Sequence, residues 1–438
     1  MQISVEATEG LERRMTIEVP AEKIDSEVDK RLKSMRPKVK LHGFRPGKVP
    51  MSVVKQQYGA QIRQEVTGEV ISNSFYDAVS EKNLKPAGLP KIDAQPEESA
   101  SGLKFTATFE VYPEFEVSGV NEIKVERPVC DISEADIDNM VEKLRKQQTS
   151  WQEVERASQT EDRVFCNFKG TIDGEEFEGG SGENMPVVLG SNSMIAGFED
   201  ALAGKSKDET VEMDLTFPEG YHKAELAGKP VHFSVTIAKV EEPVLPEISE
   251  DFIKNFGVEN GSMEDFRNEL KDNMQRELDK VLGSKIKNQV MDALLESNQF
   301  DIPKSMIEAE GARIAKQMNE QLQMSGNKLP EGMKMFEGNQ FEDEGKRRVA
   351  LGLILSEIIQ ANDIKADAAA VRAEIEKMAS AYHDPQEVIN WYYQDKNRLT
   401  EVESLVLENQ VVDWVLEQAQ VTDKMAPFEE IMNEPRQS

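Results

Sequence analysis

The sequence has few of the residues that build disulfide frameworks or metal centres. Its 438 residues include two cysteines and four histidines. Cys130 and Cys166 lie far apart in the chain and lack the short spacing that is typical of metal ligands. We therefore expect neither a disulfide framework nor a metal site, and we expect no cofactor.

The sequence also lacks a long hydrophobic run. Its longest strongly apolar stretch, residues 349–355, is far shorter than the roughly 20 residues that a membrane-spanning helix needs. The N-terminus has no basic start followed by an apolar segment, so no signal peptide is predicted. We expect a cytoplasmic protein with no membrane partner.

Positive charge is scarce relative to negative charge. Lys and Arg total 52 and Asp and Glu total 82, which gives a formal net charge of −30. Such an acidic chain is not expected to bind nucleic acid through its whole surface, and we expect no DNA partner. Any contact with RNA must come from a local basic patch. At roughly 150 residues per domain, the length suggests about three domains.

Hydrophobic periodicity divides the chain into regions of different structural class. Residues 1–115 combine alternating strand patterns with two helical patterns, which predicts an α+β domain. Residues 116–150 are predicted to form a linker with one helix, residues 151–243 a β-rich domain, and residues 246–438 an all-helical domain. The predicted fold class is multidomain α+β.

Short motifs predict where some of these elements begin and turn. The segment 133–136, Ser-Glu-Ala-Asp, resembles a capping box that opens a helix. The pair Asp173-Gly174 is typical of a two-residue hairpin turn. The spacing of Ile195, Phe198 and Leu202 predicts one short helix within the β-rich region.

One segment reverses the charge balance of the chain. Residues 30–64 contain no Asp or Glu but ten basic residues. A patch of this kind attracts phosphate through counterion release, and its tip at 43–50 adds an aromatic residue on a loop with two prolines. From charge alone, two interpretations remain open: a solvated helix face beside an ordinary turn, or a docking element for RNA or a ribonucleoprotein.

The tip, Gly-Phe-Arg-Pro-Gly-Lys-Val-Pro, resembles the ribosome-docking loop of the trigger factor family, the bacterial chaperones at the nascent-chain exit tunnel. The resemblance extends over essentially the whole chain. It implies contact with a ribosomal protein and RNA of the large subunit, and nascent or unfolded polypeptides as clients. Some members have a basic residue where this chain has Pro46, so that cationic contact is absent here. The implied ribosome-binding residues are Gly43, Phe44, Arg45, Pro46, Gly47 and Lys48.

The β-rich region contains aromatic residues that one curved sheet would bring together. Aromatic residues at strand and helix spacing favour an ordinary core over a ligand pocket. Three segments, however, resemble FKBP-type prolyl isomerases: 173–178, 194–200 and 217–222. The resemblance implies a proline-binding pocket formed by Phe168, Phe177, Met194, Ile195, Phe198, Tyr221 and Phe233, with Glu178 at its edge. Two positions depart from the family: Met185 replaces an aromatic residue and Ala196 replaces Pro.

Isomerisation of an X–Pro bond needs no nucleophile and no metal. The barrier of roughly 20 kcal/mol comes from amide resonance, and the twisted amide at its top is less polar than the planar one. An apolar pocket that excludes water therefore favours the twisted state. Tyr221 is the candidate donor to a neighbouring carbonyl. His222 is interpreted as a rim residue rather than a general acid or base, because no proton is transferred.

The helical region is rich in methionine, whose flexible side chains suit surfaces that bind many partners. Most of these methionines are nevertheless expected to be core residues. The resemblance implies helical arms that shield clients. Three alternatives remain open: a free prolyl isomerase, a holdase without turnover, and an RNA-binding regulator. The sequence also leaves open whether free molecules form a homodimer.

Overall fold

The computed structural model describes residues 1–39, 44, 49–94, 102–221, 223, 225–324, 335–380, 382 and 384–434, without the side chains of Ala94 and Glu178. The strands are β1 (Gln2–Ala7), β2 (Glu12–Val19), β3 (Lys91–Ala94), β4 (Leu103–Glu110), β5 (Lys124–Val129), β6 (Ser150–Glu153), β7 (Arg163–Ile172), β8 (Glu175–Val188), β9 (Thr210–Thr216), β10 (Pro230–Val244) and β11 (Gln420–Met425). The helices are α1 (Ala21–Met35), α2 (Met51–Glu81), α3 (Glu134–Gln147), α4 (Phe198–Leu202), α5 (Glu250–Lys254), α6 (Met263–Ser297), α7 (Lys304–Met324), α8 (Glu342–Ala361), α9 (Ala368–Ala379), α10 (Pro385–Gln394), α11 (Lys396–Gln418) and α12 (Phe428–Asn433). Short 3₁₀ helices lie at Arg36–Lys38, Val120–Glu122 and Gly338–Phe341.

These elements form two compact units, each built from two segments of the chain. Unit 1 comprises Met1–Arg127 and Gly283–Lys424, and unit 2 comprises Pro128–Leu282 and Met425–Ser438. The chain therefore leaves unit 1, forms most of unit 2, and returns. Among the helices that the structure describes, none is both long enough and apolar enough to cross a membrane.

In unit 1, the N-terminal region forms an antiparallel sheet in the order β1-β2-β4-β3. The alternation predicted from the sequence is confirmed, since β2 buries Met15, Ile17 and Val19. Ile17 pairs with Phe105 of β4, so one face of the sheet is apolar along both strands. Helix α1 covers that face with residues spaced at three and four positions, including Ile24. This is the α+β region that the periodicity predicts.

The rest of unit 1 is helical, and its main core joins α6, α8 and α11. This core also includes Val120, Ile123 and Val125 from the segment predicted as a linker. Strands β5 and β11 pair in a two-stranded sheet that the sequence analysis did not predict. A smaller core joins α9, α10 and α11.

In unit 2, an antiparallel sheet in the order β6-β10-β7-β8, with β9 paired to β10, surrounds the short helix α4. The predicted turn at Asp173-Gly174 is confirmed, because both residues have positive φ, 53° and 85°, as a two-residue hairpin requires. The capping box is also confirmed: the Ser133 Oγ accepts the Asp136 N–H, and the Asp136 carboxylate accepts the Ser133 N–H. Ile195, however, lies in the loop before α4, which begins only at residue 198.

A carboxylate of the N-terminal sheet holds the start of α7. Glu110, at the end of β4, accepts hydrogen bonds from the backbone N–H groups of Lys304 (3.0 Å) and Ser305 (2.7 Å) and from the Ser305 hydroxyl (2.6 Å). These N–H groups belong to the first turn of the helix and have no partner within it. Burial raises the pKa of Glu110, but the hydrogen bonds lower it more, so the net pKa lies below its ordinary value.

We predict that Glu110→Gln destabilises unit 1 by about 1 kcal/mol at pH 7, because the amide cannot accept these bonds as a carboxylate does. Urea unfolding measures the difference, and hydrogen exchange at the first α7 amides locates it. Since the folded pKa is depressed, the contribution is present above the ordinary carboxyl range and is lost as the pH falls below about 4. Glu114→Gln, an exposed site nearby, is the control and should change stability by less than about 0.5 kcal/mol.

Candidate functional site

The predicted pocket residues come together in one hydrophobic cluster of unit 2. The described members are drawn from β7, β8, β10, α4 and two loops. Phe198 and Phe233 are buried, and Phe168, Phe177, Met194, Ile195 and Tyr221 are partly buried against the same cluster. The side chain of Glu178 and the whole of His222 lie outside the described residues. Seven of the eight predicted side chains therefore belong to one hydrophobic cluster.

The aromatic rings form two groups, in which every contact is edge-to-face except the tilted pair Phe217–Tyr221. Phe168, Phe198 and Phe233 lie with ring centroids 5.5 to 6.2 Å apart and planes 66° to 90° from one another. Phe217 lies 5.9 Å from Phe177 and 4.6 Å from Tyr221. Edge-to-face contacts fix ring orientation as well as burying area. The result is an apolar surface whose shape is set by rings that hold one another in place.

Three glycines, which the sequence analysis missed, make room for these rings. Gly170 lies on β7, and Gly180 and Gly182 lie on β8, so each ring rests on bare backbone. A glycine inside a strand pattern signals such a close approach. The distances from an ideal Cβ to the nearest ring atom are 2.6 Å at Gly170 (Phe233 Cε1), 2.8 Å at Gly180 (Phe177 Cε1) and 2.6 Å at Gly182 (Phe168 Cε1).

The two residues that depart from the FKBP pattern, Met185 and Ala196, lie in different parts of unit 2. Met185 pairs directly with buried Cys166 across β7 and β8, so the two share a face, and Met185 remains 37% exposed at the edge strand. Ala196 is exposed in the loop before α4. Burial raises the pKa of the Cys166 thiol to about 11, so it stays protonated at neutral pH and is a packing residue rather than a nucleophile.

The predicted docking segment is described only in part. Gly43, Arg45, Pro46, Gly47 and Lys48 lie outside the described residues, whereas Phe44 is described and is 41% exposed. The residues on either side of the segment are fixed in the core of the N-terminal region. Val39 is 5% exposed and Val49 is fully buried, in the same cluster.

A side chain also ties the two ends of this segment together. The Arg36 Nε donates a hydrogen bond to the Val49 carbonyl at 2.9 Å. Pro50 then precedes the first residue of α2 with a φ of −58°, which suits a helix start. The segment 40–48 therefore connects two points that are held close to each other.

The structure shows that part of the positive charge counted in residues 30–64 is neutralised by nearby carboxylates. Four cations of the acid-free stretch are paired with carboxylates of α1 and α2 that lie close in space. The pairs are Lys30 with Glu27, Arg31 with Glu65 and Glu69, Lys55 with Asp29, and Arg63 with Asp25. Within the described residues, Lys33 and Lys38 form no ion pair. Four of the seven described cations of the stretch are thus paired with carboxylates of the helices.

The helical region of unit 1 exposes several apolar side chains. Met318, Met324 and Met335 are 39%, 88% and 49% exposed, whereas Met291 is buried. The prediction that methionines divide between core and surface is therefore confirmed for these residues. Trp391 of α10 is 48% exposed, and the Arg398 guanidinium lies over its ring at 3.7 Å.

We predict that Gly182→Ala destabilises unit 2 by about 1–3 kcal/mol, because the new methyl group would displace the Phe168 ring from a packed site. Thermal unfolding measures the loss, and near-ultraviolet circular dichroism reports the altered ring packing. Gly220→Ala is the matched control, since a Cβ there meets no heavy atom within 4 Å. Equal melting temperatures for the two variants would contradict the close packing.

Three family models match the chain. The bacterial trigger factor protein model matches residues 1–144, and the model of its C-terminus matches residues 262–417. The FKBP-type peptidyl-prolyl cis-trans isomerase model matches residues 154–238. The aromatic cluster falls within the third match, and the segment 43–48 falls within the first.

Curated relatives match over the full length. The chain is 48% identical over 430 residues to the trigger factor of Pseudomonas paraeruginosa (strain PA7), which covers 98% of each chain. It is equally identical to that of Pseudomonas aeruginosa (strain LESB58), with the same coverage. The trigger factor of Pseudomonas putida (strain GB-1) is 48% identical over 98% of this chain and 97% of its own. The chain belongs to the trigger factor family, and it is a ribosome-associated chaperone that carries an FKBP-type peptidyl-prolyl cis–trans isomerase domain.

Proposed function

We propose that the chain docks to the large ribosomal subunit beside the exit tunnel through the segment 43–48. Phe44, Arg45 and Lys48 make the contacts, with RNA phosphate and a ribosomal protein as their partners. The observation that carries the proposal is the exposed Phe44 ring on a segment whose two ends are anchored by Val39, Val49 and Arg36. Anchored ends limit how far the segment can move, which lowers the entropy that docking costs.

Charge supports the same assignment. Four helical cations, Lys30, Arg31, Lys55 and Arg63, already have carboxylate partners and offer little to an RNA surface, whereas Lys33 and Lys38 form no ion pair within the described residues. In the proposed contact, Arg45 and Lys48 supply two cations from the tip of the segment. Screening over about 10 Å limits what the acidic remainder of the chain does at the contact. Recognition therefore depends on a few residues at the loop rather than on net charge.

We predict that combined Phe44→Ala, Arg45→Ala and Lys48→Ala reduces ribosome affinity at least tenfold in co-sedimentation at low salt. The loss removes one exposed ring and two phosphate contacts. The matched control is Tyr76→Ala, Lys30→Ala and Lys55→Ala, which removes an exposed ring and two cations of the same region that are paired with acids. The control should sediment like the wild type.

Salt dependence gives a second test of this docking. Each phosphate contact contributes a slope of about 0.7 to 0.9 in log affinity against log salt concentration, so the triple variant should have a shallower slope. Wild-type protein that does not sediment with ribosomes at low salt would overturn the docking proposal. The isomerase assignment would be unaffected by that result.

We further propose that the aromatic cluster of unit 2 is the isomerase site. The prolyl ring binds against Phe177, Phe198 and Phe233, with Phe168, Met194 and Ile195 completing the wall and Tyr221 donating to a neighbouring carbonyl; Glu178 remains the proposed edge residue. The close edge-to-face packing of these rings supports this assignment, because a rigid apolar site that excludes water favours the less polar twisted amide.

The same proposal assigns a function to each region of the chain. Residues 1–115 form the ribosome-binding domain, residues 116–150 connect, residues 151–243 form the isomerase domain, and residues 246–438 form the client-binding domain. Exposed methionines of the helical region support client binding, since flexible apolar side chains adapt to many sequences. We propose a cytoplasmic protein that is partly associated with ribosomes.

We predict that Phe177→Ala lowers kcat/KM for a refolding substrate limited by prolyl isomerisation by about tenfold or more, since it removes one wall of the pocket. Phe165→Ala is the matched control: it is a phenylalanine of the same sheet that contacts Arg163 and Lys239 instead of the aromatic cluster. Its kcat/KM should stay within about twofold of wild type. Equal activities of both variants, with both folded, would refute the pocket assignment.

A further inference from the structure

A buried carboxylate lies behind the proposed pocket wall. Glu199 is the second residue of α4 and is only 7% exposed. Among the described residues it forms no ion pair, so no cation neutralises it. Burying a charge without partners is costly, and a residue in this position needs a compensating set of donors.

Backbone N–H groups of the preceding loop supply those donors. The Glu199 Oε1 accepts from the N–H groups of Ser193 (2.8 Å) and Met194 (3.1 Å), and Oε2 accepts from the N–H of Asn192 (3.0 Å). The hydroxyl groups of Ser191 and Ser193 donate to Oε1 at 3.2 and 3.3 Å. Burial raises the pKa of Glu199, but these hydrogen bonds together lower it below its ordinary value. The group is therefore ionised at neutral pH.

The loop that Glu199 holds has an unusual backbone. Gly190, Asn192 and Gly197 have φ angles of 86°, 54° and 88°, all in the left-handed region. Backbone hydrogen bonds hold the loop at Leu189, Ser191 and Ile195, but the N–H groups of residues 192–194 have no backbone partner among the described residues. The loop carries Met194 and Ile195 into the aromatic cluster. The carboxylate is the single group that bonds three successive N–H groups immediately before Ile195.

We propose that Glu199 is a positioning residue for the isomerase. Its ionised carboxylate fixes the 191–194 backbone and thereby sets the positions of the Met194 and Ile195 side chains in the pocket wall. This inference rests on the proposed pocket. Without the carboxylate the loop samples other paths, and only a fraction of molecules presents a complete pocket at any moment. A binding-competent fraction below one raises the apparent dissociation constant by the inverse of that fraction and leaves turnover of the bound substrate unchanged.

The test uses Glu199→Gln in the full chain. The amide has the same shape, but its NH₂ group faces N–H donors, so the loop loses acceptors without losing volume. For a proline-limited refolding substrate we expect KM to rise about tenfold and kcat to stay within twofold. Asp200→Asn is the matched control, because it removes the same charge one residue along the helix from an exposed side chain. The control should leave both constants unchanged.

Hydrogen exchange distinguishes a role of Glu199 in positioning the loop from a general role in stabilising the fold. In Glu199→Gln the amides of residues 192–194 should exchange at least tenfold faster, with the β7 and β10 amides unchanged. A fall in kcat with KM unchanged, or faster exchange throughout the sheet, would mean that Glu199 only maintains folded protein, and the proposal would be wrong. If Glu199→Gln does not fold, Glu199→Asp is measured in its place; it keeps the charge, shortens the side chain, and should show a smaller rise in KM.

The proposed pocket and the proposed positioning role fail in different ways. If Phe177→Ala lowers kcat/KM and folded Glu199→Gln behaves like wild type, the pocket stands and the positioning role is refuted. If neither variant changes either constant while the wild type is active, the pocket itself is misplaced and the positioning role fails with it.

Discussion

The excess of carboxylates over cations constrains how this chain satisfies its buried and partly buried charges. With 82 acidic and 52 basic side chains, at least 30 carboxylates have no cation of their own. Those that lie against the fold need other donors, and backbone N–H groups at the starts of helices and in loops are the donors that folding leaves without partners. Glu110 takes the first N–H groups of α7, and Glu199 takes three in the loop before α4. Asp367 and Asp384, which are exposed, cap the starts of α9 and α10 in the same way. An acidic composition thus fixes loops and helix starts in addition to keeping the chain soluble.

The sequence predicted features that depend on local pattern. Alternation placed the buried face of β2, the Asp173-Gly174 pair placed the β7–β8 turn, and the Ser133 capping box placed the start of α3. It missed β5 and β11, because two short strands that pair only with each other across almost 300 residues have no local signal that distinguishes them from loops. The fold class and the residues of the aromatic cluster were predictable, since both follow from periodicity and from family motifs that occupy contiguous segments.

Charge was less predictable than fold. Counting along residues 30–64 indicates an uncompensated basic patch, but the α1–α2 packing brings Asp25, Asp29 and Glu65 beside cations that are distant in sequence. Surface ion pairs of this kind contribute little to stability. They matter here because they reduce the positive field along the helices, so the proposed docking relies less on the paired helical cations. A narrow cationic contact on a chain of net charge −30 favours one defined docking geometry over general adhesion to RNA.

The proposed isomerase site depends on shape more than on reactive groups. No bond is broken and no proton moves, so the rate depends on how well an apolar surface fits a twisted amide before the substrate arrives. Part of that surface is rigid by packing, because Gly170 and Gly182 let two rings lie directly on the sheet. The other part lies on a loop in which the N–H groups of residues 192–194 bond the Glu199 carboxylate rather than other backbone groups. Sequence motifs identify the residues proposed to touch a substrate, whereas the glycines and the carboxylate that contact them are recognisable only once the chain is folded. In such a site the supporting groups decide activity as much as the walls do, since a wall that moves by an ångström no longer selects the transition state.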